Sequence, residues 1–352
     1  MASFQWARIF AEQGHNSHCM CYPDSPLAEK LRHSQLISQE IAFQQYFSPR
    51  ATWQLRQYIV RHGIDGVFLQ SLKDLWVVSP ALVGLPCKLI GFAQMWLEGI
   101  NKKDFLHTLI HKRMDALVTL TPLQSAQVLR CIPFPSEKTH VIPNSIDTRR
   151  FSPRLRSDDL RRELGAANSD ILVGIVGRLD PQKGQRELIE SFAQARRRAP
   201  QLPLKLALVG DPTPSSGDEY RRSLEEAIKK HNLDKDVVLA GFRSDIPSVM
   251  ASLDIFVLNS YQEAFGFVLV EAMASGTAVI ATDSGGIPDV VDDGRAGWLV
   301  PPKNIDALAD TLIEVASHNE RRRARAEEGR VYALEKFDEL GNFKKISTLL
   351  ET

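Results

Sequence analysis

The chain has 352 residues, and its 43 lysines and arginines balance 43 aspartates and glutamates, so the formal net charge is zero. This length exceeds what a single hydrophobic core usually supports, and we therefore expect two domains. The sequence has no basic run interleaved with stacking aromatic residues, which argues against a nucleic-acid-binding protein.

The first half of the chain predicts alternating strands and helices. Apolar runs predict five strands, at residues 16–22, 65–70, 87–93, 115–121 and 138–143. Helical stretches fall between them. One of these, at 49–63, places Trp53, Leu55, Ile59 and Val60 where they could share an apolar face.

The second half repeats this pattern more clearly. Six apolar runs predict strands at 171–177, 204–210, 236–241, 254–260, 277–282 and 296–300, each followed by a loop or helix. Strands that alternate with helices form parallel sheets covered on both faces. The sequence therefore predicts an α/β protein with two doubly wound domains, a cleft between them and a hinge near 144–153.

The most informative stretch is NSYQEAFGFVLVEAMASGTAVIATDSGGIPDVVDDGRAGWLVPP, at residues 259–302. A buried strand precedes it, and FGFVLVEAMA predicts a helix that ends before Gly276, a residue type common just past helix ends. A strand, a loop and a helix N-terminus together form the place where an α/β sheet binds an anionic ligand.

Two carboxylates, Glu263 and Glu271, flank this predicted anion site. At about 1.5 Å per residue, Glu271 lies roughly 7 Å beyond the helix start. That spacing suits one long ligand, with a sugar at Glu263, a diphosphate at the amides of Phe265, Gly266 and Phe267, and a ribose at Glu271. Taken singly, the two carboxylates also fit a solvated helix residue and a loop charge.

A second candidate segment follows the strand at 171–176. Arg178 and Lys183 flank a turn there, and Gly177 and Gly184 let the backbone approach a ligand closely. Arginine can grip phosphate oxygens in a bidentate manner, while lysine supplies a point charge. These residues could neutralise a departing diphosphate, although they would also fit an ordinary surface loop.

The sequence offers one literal match to the Asp-x-Asp pairs that hold a metal in some sugar-transfer enzymes. It is Asp234-Lys235-Asp236, which stands in a polar turn before a strand. We interpret it as a turn, and we predict no metal site.

The spacing of Glu263 and Glu271, followed by EAMASGTAVIATDSGGIPDVV, resembles the signature of the retaining glycosyltransferases of family 4, which have the GT-B fold. GIVGRLDPQKGQRELIESFAQA (174–195) resembles that family's donor-diphosphate segment, and VIPNSIDTRRFSP (141–153) its interdomain hinge. The likeness extends over most of the chain.

The resemblance implies two Rossmann-like domains that face a cleft. Residues 1–148 would form the acceptor-side domain and 149–330 the nucleotide-sugar-binding domain, while 331–352 would cross back to the first. It also implies transfer of a hexose from a UDP- or GDP-linked sugar to a cell-surface glycan or a lipid-linked acceptor, without a cofactor. Retention would follow from same-face attack, with a leaving phosphate oxygen taking the acceptor's proton.

The resemblance also implies roles for the candidate residues. Arg178 and Lys183 would bind the donor diphosphate without metal, Glu263 would contact hexose hydroxyls, and Glu271 would hold the ribose. Gly177 would belong to the diphosphate loop, and the amides around 265–267 would stabilise the same leaving group.

Three departures from the family pattern stand out. Ala264 replaces a usual glycine, and we expect the backbone there to tolerate a side chain. Gln94 occupies the place of a histidine near the transferred sugar, where it can donate a hydrogen bond but cannot carry a proton. The usual opening strand is missing, because a helix at 3–13 comes first. Either the sequence starts at an internal methionine or the strand is lost, and we expect an exposed gap or a closed-up sheet, with Gly14–Met20 at its edge.

The remaining expectations concern partners and place. Residues 1–150 carry 16 lysines and arginines against 11 aspartates and glutamates, a balance that suits contact with anionic lipid or a phosphorylated acceptor, or a solvated surface. Four cysteines without a disulfide or zinc pattern, no signal peptide and no apolar run near 20 residues predict a cytoplasmic protein. The basic first half would suit peripheral contact at the inner membrane face. Two other functions stay open: a catalytically impaired nucleotide-sugar-binding protein and a GT-B sugar-nucleotide epimerase.

Overall fold

The computed structural model describes residues 2–42, 47–97, 101–212 and 218–351. In the order of the chain, the first elements are α1 Ala2–Glu12, β1 His18–Cys21, α2 Pro26–Arg32, β2 Ile37–Glu40, α3 Pro49–His62, β3 Gly66–Leu69, α4 Leu75–Ala81, β4 Lys88–Phe92, α5 Phe105–His111, β5 Ala116–Thr119, α6 Pro122–Cys131 and β6 Thr139–Val141.

The later elements are α7 Asp158–Glu163, β7 Ile171–Val176, α8 Gln185–Arg198, β8 Leu204–Val209, α9 Glu219–Lys230, β9 Val237–Gly241, α10 Ile246–Ser252, β10 Ile255–Leu258, α11 Phe267–Ala274, β11 Ala278–Thr282, α12 Ile287–Val290, β12 Trp298–Val300, α13 Ile305–Ser317, α14 Asn319–Lys336 and α15 Glu339–Glu351.

The chain divides into two compact units. The first contains residues 1–144 and 339–352, and the second contains 145–338. These bounds differ from the predicted ones at 148/149 and 330/331. The second difference arises because α14 continues unbroken to Lys336 and packs on α11 and α13, so only α15 belongs to the first unit.

In the first unit, the described strands form two separate parallel sheets. One has the order β3-β4-β5-β6, and the other consists of β1 and β2, in register from His18 opposite Ile37. Of the two predicted outcomes, a gap and a closed-up sheet, the described strands show the gap, because β1 and β2 pair only with each other, and β1 lies at an edge of its sheet. The strand β2 was not predicted.

Helices cover both faces of the four-stranded sheet. On one face, Trp6, Ile9 and Phe10 of α1 pack with Phe343 and Ile346 of α15 against Ile90 and Phe92 of β4. On the other face lie α3 and α4. The predicted apolar face of α3 is partly wrong. Leu55 and Ile59 are buried, but Trp53 and Val60 are exposed, because the buried stripe runs at four-residue spacing from Ala51.

The second unit contains a single six-stranded parallel sheet of order β12-β11-β10-β7-β8-β9. All six strands predicted in this half are present. One face of the sheet packs on α8, α9 and α13, through alternate strand residues such as Val173, Leu206 and Ile255. Because the strands are parallel, their carboxyl ends all meet at one edge, which positions the loops described next.

Candidate active site

The loop after β7 holds Arg178 and Lys183. Residues Pro181–Lys183 form a 3-10 turn that the side chain of Asp180 caps, and Gly184 ends it in the left-handed conformation, with φ 65°. A Cβ at Gly184 would meet the backbone oxygen of Asn259 at 2.3 Å. Glycine is therefore required here, both for its conformation and for the close approach of the two loops.

The loop after β10 lies against this turn. The Nδ2 atom of Asn259 donates to the Gly184 carbonyl at 2.8 Å, and the backbone N–H of Tyr261 donates to the Gln182 carbonyl at 2.9 Å. The Asn259 side chain is buried. The two loops therefore hold each other in a fixed arrangement.

The same two loops bring Lys183 and Glu263 together. The Nζ atom of Lys183 lies 2.7 Å from Oε2 of Glu263, and both side chains keep about a quarter of their surface exposed, at 28% and 23%. From the sequence, these two residues were predicted to bind different parts of a donor. The structure pairs them, and a ligand that reaches both can replace this ion pair.

A glycine pair after β11 supports the Glu263 backbone. The N–H of Gly286 donates to the Glu263 carbonyl at 2.9 Å, and Gly285 has φ 59°. A Cβ at Gly285 would lie 2.0 Å from that same carbonyl oxygen. Contact with the loop that carries Glu263 thus explains both glycines.

The N-terminus of α11 lies directly beyond Glu263. Gly266 precedes the helix in the left-handed conformation, and no side chain caps it, so the first backbone N–H groups of the helix keep donors for a ligand. Phe265 is buried against the rings of Phe267 and Phe337. Ala264 does not have a positive φ, so the expected tolerance of a side chain there is confirmed.

Glu271 lies one turn further along α11. Burial raises the pKa of the Glu271 carboxyl to about 7, and the positive charge of Arg150 opposes that rise. A carboxyl that titrates near neutral pH can accept hydrogen bonds from ribose hydroxyls once it is ionised.

The Lys183–Glu263 ion pair lies at the point where the strand order reverses. From β7 the chain continues to β8 on one side, whereas β10 lies on the other side of β7. Ligands of open α/β sheets bind outside the carboxyl ends of the strands at such a point. Lys183 follows β7 and Glu263 follows β10, and their ion pair therefore spans it.

Arg178 and Gly177 belong to the same loop. The Arg178 carbonyl accepts a hydrogen bond from Nε2 of Gln185 at 2.7 Å, while its side chain is exposed. Gly177 lies against the next loop, since a Cβ at Gly210 would meet the Gly177 carbonyl oxygen at 2.0 Å. The backbone of the predicted diphosphate loop is therefore fixed from two sides.

Gln94 belongs to the first unit, where it follows β4. Its Nε2 atom donates to Oε1 of Gln70 at 3.2 Å, and its Oε1 atom accepts from Nδ2 of Asn144 at 3.0 Å. The contact of Gln94 with a donor sugar stays a prediction.

Sequence reasoning missed the residues that position these loops. Asn259 and Gln185 are 3% and 1% exposed, and Tyr220 donates to Oε1 of Gln185 at 3.3 Å. Tyr261 donates to Glu187 at 2.5 Å. Gln185, Asn259 and Tyr261 stand within the two motif segments, but nothing in the sequence marked them as supporting residues, and Tyr220 lies outside both segments.

The Asp-x-Asp match has structural partners. Asp236 accepts from Arg196 and Lys205, both at 2.9 Å, before β9. Within the described ranges, no three His, Cys, Asp or Glu side chains are grouped so that they could hold a metal ion.

Comparisons with known proteins agree with this geometry. Residues 156–332 match the model of the glycosyl transferases group 1, and residues 4–150 match that of glycosyltransferase family 4. A D-inositol 3-phosphate glycosyltransferase of Corynebacterium urealyticum is 29% identical over 76% of this chain and 64% of its own length. An alpha-maltose-1-phosphate synthase of Mycolicibacterium smegmatis is 32% identical over 63% of this chain and 59% of its own length. The chain thus spans less than two thirds of these curated relatives.

Solved structures extend the comparison. Anabaena HepE, crystallised with UDP and glucose, is 25% identical, with a TM-score of 0.82 over 100% of this chain and 96% of that one. A sucrose-phosphate synthase from Thermosynechococcus elongatus, at 22% identity, shares the fold with a TM-score of 0.79 over 99% of this chain and 91% of that one. The chain therefore belongs to the group 1 glycosyl transferases of the family 4 type, which have the GT-B fold.

Proposed function

We propose that this protein transfers a hexose from a nucleoside-diphosphate sugar to a glycan or lipid-linked acceptor, with retention of the anomeric configuration and without a metal ion or cofactor. One observation carries the proposal. The Lys183–Glu263 ion pair lies at the strand-order reversal, between a loop that also holds Arg178 and the open N-terminus of α11. These groups suit a diphosphate that carries a sugar.

The chemistry follows from the charges of these groups. As the anomeric C–O bond breaks, negative charge builds on the departing diphosphate, and Lys183, Arg178 and the α11 amides are suited to stabilise it. The acceptor oxygen attacks the same face of the sugar, and its proton passes to a leaving phosphate oxygen. In this scheme Glu263 binds hexose hydroxyls and Glu271 the ribose.

The donor is proposed to be UDP- or GDP-linked. The complex of HepE with UDP and glucose supports a uridine nucleotide, because HepE matches this chain along its whole length. We also propose that the protein acts in the cytoplasm, which its four free, buried cysteines support. None of the described helices is long and apolar enough to cross a membrane.

Donor turnover by the full chain tests this function. UDP- and GDP-hexoses are incubated with the protein in EDTA, with and without simple glycan and lipid acceptors, and nucleotide release and product anomer are followed by NMR. We expect slow donor hydrolysis that acceptor accelerates, with the donor's anomeric configuration kept. Tight nucleotide-sugar binding without any turnover would instead indicate a binding protein, and conversion to another nucleotide sugar would indicate an epimerase.

A further inference from the structure

We propose that the exposed side chains of α3, of α5 and of the turn after α4 in the first unit dock on an anionic lipid membrane. This inference goes beyond sugar transfer and depends only on the first unit. The surface, called here the α3–α5 surface, consists of six exposed apolar side chains and the cations around them. The apolar members are Trp53, Val60, Val83, Phe105, Leu106 and Leu109.

The apolar members are unusually exposed for residues of their type. Trp53 is 62% exposed, Val83 64% and Phe105 78%. Isolated exposed apolar residues are ordinary, but large ones grouped on adjoining helices mark an interaction surface. Tryptophan and phenylalanine are also residues that settle at the boundary between headgroups and acyl chains.

Internal contacts join the three helices that carry or adjoin these side chains. The Arg56 guanidinium of α3 donates to the carbonyls of Ala81 and Val83 at 3.0 and 2.7 Å, which joins α3 to the end of α4. On the other side of α4, the rings of Trp76 and His107 lie 5.3 Å apart, which joins α4 to α5. The helix α4 therefore lies between the two helices that carry most of the exposed apolar residues.

The charge of this layer selects an anionic partner. Residues 49–63, 75–87 and 105–113 contain five lysines and arginines and no aspartate or glutamate. Arg50, Arg61 and Lys112 are exposed. Cations beside an apolar surface attract anionic headgroups while the apolar groups enter the interface.

Three of the carboxylates that flank these segments in the chain have hydrogen-bond partners within the unit. Asp104 accepts from the backbone N–H and the ring of His107. Asp74 accepts from the hydroxyl of Tyr22 at 3.0 Å. Asp115 accepts from the Leu89 N–H and from Arg113, so Arg113 is the one cation of the layer with a carboxylate partner among those described.

Vesicle flotation of the full chain tests the proposal. The vesicles contain either phosphatidylcholine alone or phosphatidylcholine with an equal amount of phosphatidylglycerol. We expect binding to the anionic vesicles only, weakened by added salt. The triple variant Arg50→Gln, Arg61→Gln, Lys112→Gln should lower the partition coefficient by about fivefold for each cation removed.

Matched variants show whether vesicle binding depends on the α3–α5 surface or on any exposed cation or aromatic side chain of the protein. Lys229→Gln, Lys230→Gln, Arg323→Gln removes three exposed cations of the second unit, and Phe242→Ser removes an aromatic side chain that is 76% exposed there. Both controls should bind vesicles as the wild type does. Phe105→Ser should weaken binding, and because its side chain is exposed, folding should not depend on it.

Tryptophan fluorescence gives an independent readout. Emission should shift to shorter wavelength on anionic vesicles, and Trp53→Phe should remove most of that shift. Equal binding by the surface variants and their controls would overturn the proposal. So would a failure to bind vesicles combined with self-association that Phe105→Ser abolishes, because the surface would then be a contact between copies of this chain.

Discussion

Lys183 and Glu263 form an ion pair of 2.7 Å although 80 residues separate them in the chain. The pair joins the loops after two neighbouring strands, β7 and β10. In the proposed function its two members serve different parts of one donor, so donor binding exchanges this contact for contacts to phosphate and sugar. The following predictions depend on that exchange.

The first prediction concerns the leaving group. Lys183→Ala and Arg178→Ala should each lower donor turnover by about a hundredfold or more, because each removes a strong donor to the developing negative charge. Turnover in EDTA is the measurement, with Lys229→Ala on the exposed end of α9 as the control. If EDTA abolishes activity while both variants stay active, the metal-free mechanism is wrong.

The second prediction separates the two glutamates. Glu271→Ala should weaken UDP binding by about tenfold or more, because it removes hydrogen bonds between a carboxylate and the ribose. Glu263→Gln should leave UDP binding at least as tight as in the wild type, since it frees Lys183, while kcat falls because the sugar loses its partner. Calorimetry with UDP and donor kinetics measure the two effects. Equal loss of UDP affinity in both variants would contradict this division of roles.

The third prediction concerns pH. Burial raises the pKa of Glu271 from 4.5 to about 7, so the folded state favours its protonated form. The stability that this proton contributes is complete below about pH 4.5 and is lost as the pH rises through about 7. Glu271→Gln should therefore be more stable than the wild type above pH 7, by on the order of 2 kcal/mol, since the side chain keeps some contact with solvent.

Denaturant unfolding across this pH range measures the effect, with the two proteins compared at each pH. The same titratable group should make UDP binding by the wild type tighten as the pH rises through about 7, relative to Glu271→Gln. Because the phosphate of UDP itself titrates and affects both proteins alike, comparison with the variant isolates the effect of Glu271. Parallel stability curves for the two proteins would show that Glu271 does not titrate in this range.

A fourth prediction uses two glycines with the same backbone conformation. Gly285 and Gly63 have φ 59° and 61°, so the backbone conformation alone should make alanine at either cost roughly 1–2 kcal/mol of stability. A Cβ at Gly63 meets no atom within 4 Å, whereas one at Gly285 meets the Glu263 carbonyl at 2.0 Å. Gly285→Ala should therefore abolish most donor turnover, while Gly63→Ala leaves it unchanged. Full activity of a folded Gly285→Ala protein would mean that donor turnover does not depend on the position of the Glu263 backbone.

Much of this fold could be predicted because its parallel strands are buried on both faces. Ile255–Leu258 and Ala278–Thr282 are continuous apolar runs that leave little choice of interpretation. The strand Ile37–Glu40 was missed for the opposite reason, since its side chains are largely exposed and include Ser38, Gln39 and Glu40. Trp53 was misplaced because it was grouped with the other apolar residues of the helix, while tertiary packing buried Ala51 instead.

The candidate site was predictable in its residues but not in its contacts. Arg178, Lys183, Glu263 and Glu271 stand in recognisable motifs, yet only the sheet order brings Lys183 to Glu263. The supporting residues carried no usable signal. Asn259 and Gln185 are polar residue types that are mostly exposed, and their burial depends on how the loops after β7 and β10 meet.

A crystal structure of the full chain with UDP tests the central claim most directly. We expect the diphosphate to lie within hydrogen-bond distance of Lys183 Nζ and of the backbone amides at the start of α11, with the ribose hydroxyls at Glu271 and the Lys183–Glu263 ion pair broken. A diphosphate bound elsewhere, or one bound while Lys183 and Glu263 remain paired at 2.7 Å, would contradict the account.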